Sequence, residues 1–224
     1  MEITPNVHLI PDITANPYLI IDPGGLTLID AGLPGSQKKI FSYLATLGFT
    51  PTDLKRIVIT HSDFDHIGGL AALRSASGAR VCASEIEANA IATGKPSRPI
   101  RPQNLLQKLV FGLLGAFART APLQVDEILR DGQVLPILGG LTVLDTPGHT
   151  PGHISLFAHA AGILFCGDSL VAGKGQLSPS RPDVTWDRIK ADESVRKQAA
   201  LGAQIVCSGH GPVVTDAKDK FPQV

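Results

Sequence analysis

The chain has 224 residues, and its 20 Lys or Arg balance 20 Asp or Glu, so the formal net charge is zero. A sequence-blind nucleic-acid binder needs surplus cations to displace condensed counterions, and an acidic solvating tail needs the opposite surplus; the total contains neither. With 43% hydrophobic and 18% charged residues, the composition is that of a packed core rather than a disordered chain.

One domain spanning 1–224 is expected, since a chain of this length can bury most of its unfolded surface around one large core. The start, Met1-Glu2-Ile3-Thr4-Pro5, has no basic region or apolar run of signal-peptide length, so a cytoplasmic location is expected. Tyr18 to Ile21 and Leu26 to Ile29 flank Asp22-Pro23-Gly24-Gly25 and read as a β-hairpin. From Ser36 the apolar positions Ile40, Leu44 and Leu47 recur at helical spacing, with Ser36 as the expected cap and Gly48 just past the end. The strand Arg56 to Thr60 then delivers the chain to His61. A helix over Gly69 to Ala76 and a strand over Arg80 to Ala83 follow, and Ser84 and Glu87 have the spacing of a capping box opening another helix.

Residues 88–125 differ in composition and read as a helical insertion: they contain five basic residues (Lys95, Arg98, Arg101, Lys108, Arg119) and no acid. Within them Leu105 to Ala118 is apolar and helix-like, but interrupted by Lys108 and shorter than the ~20 residues of a membrane span. Three readings of the 105–119 segment stand open. It packs on the domain or makes a homodimer, it is a lid with Phe111 and Phe117 lining an acyl-sized substrate pocket, or it touches an anionic membrane surface.

Beyond Gln133 the order of strands then helix repeats. Hairpins are expected around Gly139-Gly140 and before Gly162, a helix over Thr185 to Leu201 closed by Gly202, and a strand over Gln204 to Cys207. This order suggests two similar halves whose sheets pack face to face with helices outside. Cys82, Cys166 and Cys207 lie far apart in apolar, strand-like runs and read as small buried hydrophobes.

The chemistry collects in Gly-rich turns at strand ends. Thr60-His61-Ser62-Asp63-Phe64-Asp65-His66-Ile67-Gly68-Gly69 carries two imidazoles and two carboxylates, and Thr146-Pro147-Gly148-His149, Gly167-Asp168 and Gly209-His210-Gly211 follow it. Imidazole nitrogen and carboxylate oxygen ligate zinc, iron and manganese, and seven such groups on loops at one sheet edge can hold two ions.

In these motifs, and in Leu28-Ile29-Asp30-Ala31-Gly32, nearly the whole chain resembles the metallo-β-lactamase superfamily. The resemblance implies a four-layer αβ/βα sandwich of the α/β class with a one- or two-metal centre, and hydrolysis as the commonest activity. By position it implies a first metal set of His61, Asp63 and His149 and a second set of Asp65, His66 and His210, with Asp168 bridging. Two divalent ions are implied, with Zn2+ expected. The family usually reads His-x-His-x-Asp-His, whereas this chain has Asp63 in place of the second histidine, which favours harder ions such as Mn2+ or Fe2+. Asp65 is the implied catalytic residue, orienting a nucleophilic water and shuttling its proton. Asp30 is either a partner of a ligand histidine or a turn former. His153 is expected near the site but not in it, and His8 and His159 on the surface or in structural positions.

A small-molecule ester or lactone is the expected substrate, with no nucleic-acid partner. Lactonases of the family often carry a tyrosine where this chain has Val171. A thioesterase of the glyoxalase II kind would carry a helical extension, whereas 14 residues follow His210. A two-His-one-carboxylate iron site of persulfide-dioxygenase type, on His61, His149 and Asp168, is the alternative outside hydrolysis.

Overall fold

A computed structural model of the protein describes residues 1–98 and 120–224. The apolar run 105–119, with Phe111 and Phe117, lies outside the described residues. One seven-stranded sheet is laid down in chain order: β1 (Glu2–Thr4), β2 (Val7–Leu9), β3 (Tyr18–Asp22), β4 (Gly25–Ile29), β5 (Leu54–Val58), β6 (Arg80–Ser84) and β7 (Glu127–Leu129). Its first four strands are antiparallel and β4 to β7 are parallel. Next come β8 (Val134–Leu135), β9 (Leu141–Asp145), β10 (Ile154–Ala158) and β11 (Ile163–Gly167). A separate hairpin of β12 (Leu170–Gly173) and β13 (Gln176–Pro179) follows, then β14 (Ile205–Ser208) and β15 (Val214–Thr215). The second sheet has six strands in the order β15-β14-β11-β10-β9-β8, with β11 and β14 parallel.

Among the described residues the helices are α1 (Ser36–Thr46), α2 (Phe64–Ile67), α3 (Leu70–Ser77), α4 (Glu85–Thr93) and α5 (Arg188–Ala199). Strand alternation decides where each apolar side chain goes. Ile154, Leu156 and Ala158 of β10 and Ile163 and Phe165 of β11 enter the space between the sheets, where they meet Tyr18, Ile20, Ile29 and Val58. Phe157, Leu164 and Cys166 take the opposite face, against Val195 of α5. On the other outer face Ile40, Leu44, Leu70, Leu73 and Ile91, from α1, α3 and α4, cover Leu26, Leu28 and Ile57. The layers are therefore helix, sheet, sheet, helix, an αβ/βα sandwich.

The hairpin at Asp22 to Gly25 forms, with Asp22 opposite Gly25, and so does the one ending at Gly162. Cys82, Cys166 and Cys207 lie in β6, β11 and β14 and are buried free thiols.

Three local expectations need correction. Ser36 is the first helical residue, buried, and the cap position belongs to Gly35 in a left-handed conformation. The late helix starts at Arg188 rather than Thr185, because Pro182–Val184 forms its own 3-10 turn and the Asp187 side chain accepts from the Lys190 amide as the true cap. The capping box at Ser84 is half formed: its hydroxyl accepts from the Glu87 amide, but the Glu87 carboxylate turns elsewhere. The short strands β1, β2, β12, β13 and β15 carry too few residues to show a period. No helix among the described residues is long and apolar enough to cross a membrane.

Candidate metal centre

In a sheet with parallel strands, the carboxyl ends of the strands gather loops on one edge. Asp30 follows β4, His61 follows β5, His149 lies in the loop after β9, Asp168 follows β11 and His210 follows β14. Two glycines let these loops close on one another. A Cβ at Gly209 would fall inside the Asp168 carboxylate, and one at Gly167, whose φ is +50°, would meet His153 Nε2 at 2.6 Å and Thr60 Oγ1 at 2.8 Å.

All seven sequence-predicted groups come together. His149 Nε2 lies 3.0 Å and His61 Nε2 3.8 Å from Asp63 Oδ2, and His210 Nε2 lies 3.2 Å from Asp65 Oδ2. Asp168 stands among the imidazoles. Its Oδ2 is 4.0 Å from His61 Nε2, 3.7 Å from His149 Nε2 and 3.4 Å from His210 Nε2, and its Oδ1 is 3.4 Å from His66 Nε2. Three sets of converging donor atoms could each hold a metal ion: His61, Asp63 and His149; Asp65, His66 and His210; and His61, His66 and Asp168.

The outer ring nitrogens are fixed by partners. His66 Nδ1 pairs with Asp30 Oδ2 at 2.8 Å, His61 Nδ1 with Thr60 Oγ1 at 3.0 Å, and His149 Nδ1 with Ser180 Oγ at 2.8 Å. Asp30 also accepts from the Thr60 amide and hydroxyl, both at 2.8 Å, so its role is to orient a site histidine. Its φ of +60° turns the chain at the same residue. The inner atoms are different: His61 Nε2, His66 Nε2 and Asp168 Oδ1 are buried without a hydrogen-bond partner among the described residues. Buried polar atoms are rarely left so, and a cation is the partner that lone pairs on two imidazoles and a carboxylate fit. His153 is excluded as a donor because both its nitrogens are engaged, Nδ1 with Thr146 Oγ1 at 2.9 Å and Nε2 accepting the Asp168 amide at 3.0 Å.

The converging histidines and carboxylates shift one another's titration. Hydrogen bonds to Asp168 and Asp65 raise His210 to about 10. Burial opposes the charge on His66, yet Asp168 and Asp30 lift it well above the ordinary imidazole range. Burial likewise opposes ionisation of Asp168, but His66 and His210 hold it well below the usual carboxylate range. His61 moves the other way, pushed down by burial and by His66 and His149 beside it. Burial alone would raise Asp63; the His149 hydrogen bond and the Arg98 charge outweigh it and keep the carboxyl low.

Sequence reasoning missed four contributors. Arg98, counted there only as part of a basic segment, donates to Asp63 Oδ2 at 2.7 Å and to the His149 carbonyl at 2.9 Å. Ser180 and Thr60 hold ligand-type histidines, and Glu87, read as a cap, ties together the loops of His61 and His149. No spacing pattern ties any of them to the ligand loops, so only the fold reveals these roles. His8 pairs with Tyr43 at 3.1 Å and His159 is exposed, both away from the cluster as expected.

Comparison with known proteins agrees with this geometry. The family model of the metallo-beta-lactamase superfamily matches residues 10–210. A probable metallo-hydrolase, YflN, of Bacillus subtilis (strain 168) is 30% identical, over 96% of this chain and 87% of its own. A hydroxyacylglutathione hydrolase of Cereibacter sphaeroides is 35% identical over 70% of this chain, which spans 48% of that enzyme. Among solved structures, a Cronobacter sakazakii metallo-beta-lactamase described by its HARLDQ motif superposes with a TM-score of 0.73 at 28% identity, covering 94% of this chain and 77% of that one. A histidine and aspartate cluster at the loop edge of an αβ/βα sandwich, together with a family match over most of its length, places the chain in the metallo-beta-lactamase superfamily.

Proposed function

We propose that the protein is a metal-dependent hydrolase that cleaves an ester or lactone bond in a small, apolar or amphipathic molecule. The observation that carries the proposal is the set of buried, partnerless donor atoms on His61, His66 and Asp168, at the centre of seven converging groups. In this reading His61, Asp63 and His149 hold one divalent ion, Asp65, His66 and His210 hold the other, and Asp168 faces both. Ions bound there would supply Lewis acidity toward a carbonyl oxygen and would make a water nucleophilic at neutral pH.

The chain's own residues do the rest. Asp65 lies at the open side of the cluster, 31% exposed beside an equally exposed His210, and accepts the proton of the attacking water before passing it to the leaving oxygen. Asp30, Thr60 and Ser180 fix the ring planes. Arg98, 13% exposed, holds the Asp63 carboxylate and the His149 carbonyl in place. Zn2+ remains the metal expected, with Mn2+ or Fe2+ favoured to the extent that Asp63 ligates through oxygen.

A second reading, thioester hydrolysis, is favoured by the 35% identity to a hydroxyacylglutathione hydrolase. The two separate in a panel of lactones, aryl esters, thioesters and β-lactams, assayed before and after chelation. Turnover of lactones or oxygen esters, abolished by chelator and restored by added metal, supports the proposal. Turnover confined to thioesters supports the second reading, and oxygen uptake by an iron-loaded protein without any hydrolysis contradicts both.

A further inference from the structure

Glu87 is a fully buried carboxylate that no step above uses. Its sequence spacing suited a helix cap, but its side chain crosses to two loops of the candidate centre. Oε2 accepts from the Ser62 amide at 2.9 Å and the Ser62 hydroxyl at 2.5 Å, and Oε1 accepts from the Thr150 hydroxyl at 2.6 Å and the Gly152 amide at 3.1 Å. Ser62 stands between His61 and Asp63, and Thr150 directly follows His149. Each residue of the first donor set is therefore covalently next to a residue that Glu87 holds. The second set has no such tie, because His210 comes from the other end of the chain and makes no contact with Glu87 among those hydrogen bonds.

The neighbouring packing makes the brace stiff. Ser84, at the start of α4, donates to the Gly152 carbonyl at 2.5 Å, while a Cβ on Gly152 would meet Ile86 Cβ at 2.7 Å and Glu87 Oε1 at 2.9 Å. The first turn of α4 thus grips the 149–152 loop on both its amide and its carbonyl. Burying a carboxylate is costly unless its lone pairs are met, and four donors meet them here.

We infer that Glu87 is a positioning residue that sets the separation of His61 and Asp63 from His149, and through it the affinity of the first donor set for a divalent ion. The inference rests on the metallohydrolase reading. An amide at this position cannot replace the carboxylate, because its NH2 group would face the Ser62 or the Gly152 amide, donor against donor. Outer partners of metal ligands of this kind typically change affinity by about 10- to 100-fold.

The test titrates chelator-stripped full-length protein with Co2+, following heat and the visible absorption of the bound ion. The wild type and Glu87→Gln are each also examined with His210→Ala, which leaves the first set, and with His149→Ala, which leaves the second. The expected result is that Glu87→Gln weakens the first set at least about tenfold and moves its cobalt spectrum, with the second set within about twofold of wild type. Equal affinities for both sets would overturn the inference, and so would a lowered melting temperature without any change in cobalt affinity, since that is the mark of a fold brace alone. A wild type that takes up no Co2+ would instead remove the metallohydrolase reading on which the inference stands. Should Glu87→Gln not fold, Thr150→Val removes one donor and is expected to weaken the first set several-fold; unchanged affinity there overturns the inference equally.

Discussion

Asp63 is the residue at which this chain departs from the usual ligand pattern, and Arg98 is its structural answer. A guanidinium 2.7 Å from the carboxylate returns a positive charge to a first donor set that has lost the chance of a third imidazole. The preference for harder ions read from Asp63 in the sequence took no account of this guanidinium. Asp63→His is expected to raise zinc retention relative to manganese and iron, measured by elemental analysis after dialysis against mixed metals; equal retention in both proteins would remove Asp63 from the ligand set. Asp30 supports a second prediction at this scale. Its carboxylate holds His66 Nδ1 at 2.8 Å and two donors of Thr60. Asp30→Asn can present an NH2 group to the ring, and is expected to weaken metal affinity about 10- to 100-fold, read by chelator competition. The histidine and aspartate positions were legible in the sequence because they recur beside glycines at strand ends. Arg98, Ser180 and Glu87 were not, because their roles depend on contacts between segments 35, 31 and 63 positions apart.

At the scale of the element, period and punctuation did most of the predictive work. The hairpin at Pro23-Gly24 and the strands β5, β6, β10, β11 and β14 were readable because each pairs an apolar run with a turn signal. Helix starts were less so. Ser36 and Thr185 are plausible caps by residue type, but Gly35 and Asp187 occupy the positions whose backbone leads into the helix. Ser84 with Glu87 shows why spacing alone is insufficient: the same Ser-x-x-Glu pattern serves a box or a brace, and buried donors on Ser62 and Thr150 decide between them. The three cysteines, placed by alternation inside β6, β11 and β14, give an elementary check. Burial pushes the Cys82 thiol up to about 11, and raises those of Cys166 and Cys207 well above the ordinary thiol range. Iodoacetamide at neutral pH is expected to leave all three unmodified in the native protein and to alkylate all three after denaturation, by mass spectrometry. Rapid native labelling of any one would displace its strand from the core. Phe165, fully buried between the sheets against Tyr18, is the matching packing test. Phe165→Ala is expected to cost about 3–5 kcal/mol of unfolding free energy, measured by denaturant titration.

For the whole molecule, the fold class and the edge that carries the site were readable because the chain writes its two halves in the same order, and the sheets assemble accordingly. Charge told less: a neutral total conceals a cluster of histidines and aspartates that strongly shift one another's titration. The carboxylates of Asp63, Asp65 and Asp168 are held below their ordinary range, so their contribution to stability is present above about pH 4 and is lost on further acidification. His66 and His210 are raised, so theirs is complete below about pH 6.5 and fades as pH climbs toward the folded value, about 10 for His210. Burial depresses His61 and takes His153 to about 3, so their contribution is present above about pH 6.5 and is lost below it. With losses on both sides, metal-free protein is expected to be most stable near about pH 6.5. Bound ions require neutral imidazoles, so the rise in melting temperature on adding metal should keep growing from about pH 6.5 toward about 10, the value for His210. A rise independent of pH would separate the stabilising metal from these histidines. The central claim, that the seven converging groups form a two-ion hydrolytic centre, is tested most directly by the metal stoichiometry of the reconstituted full-length protein, measured by elemental analysis. The account predicts two divalent ions per chain, falling to one in His149→Ala and in His210→Ala; a wild type that binds none, or that binds its metal undiminished in both variants, would contradict it.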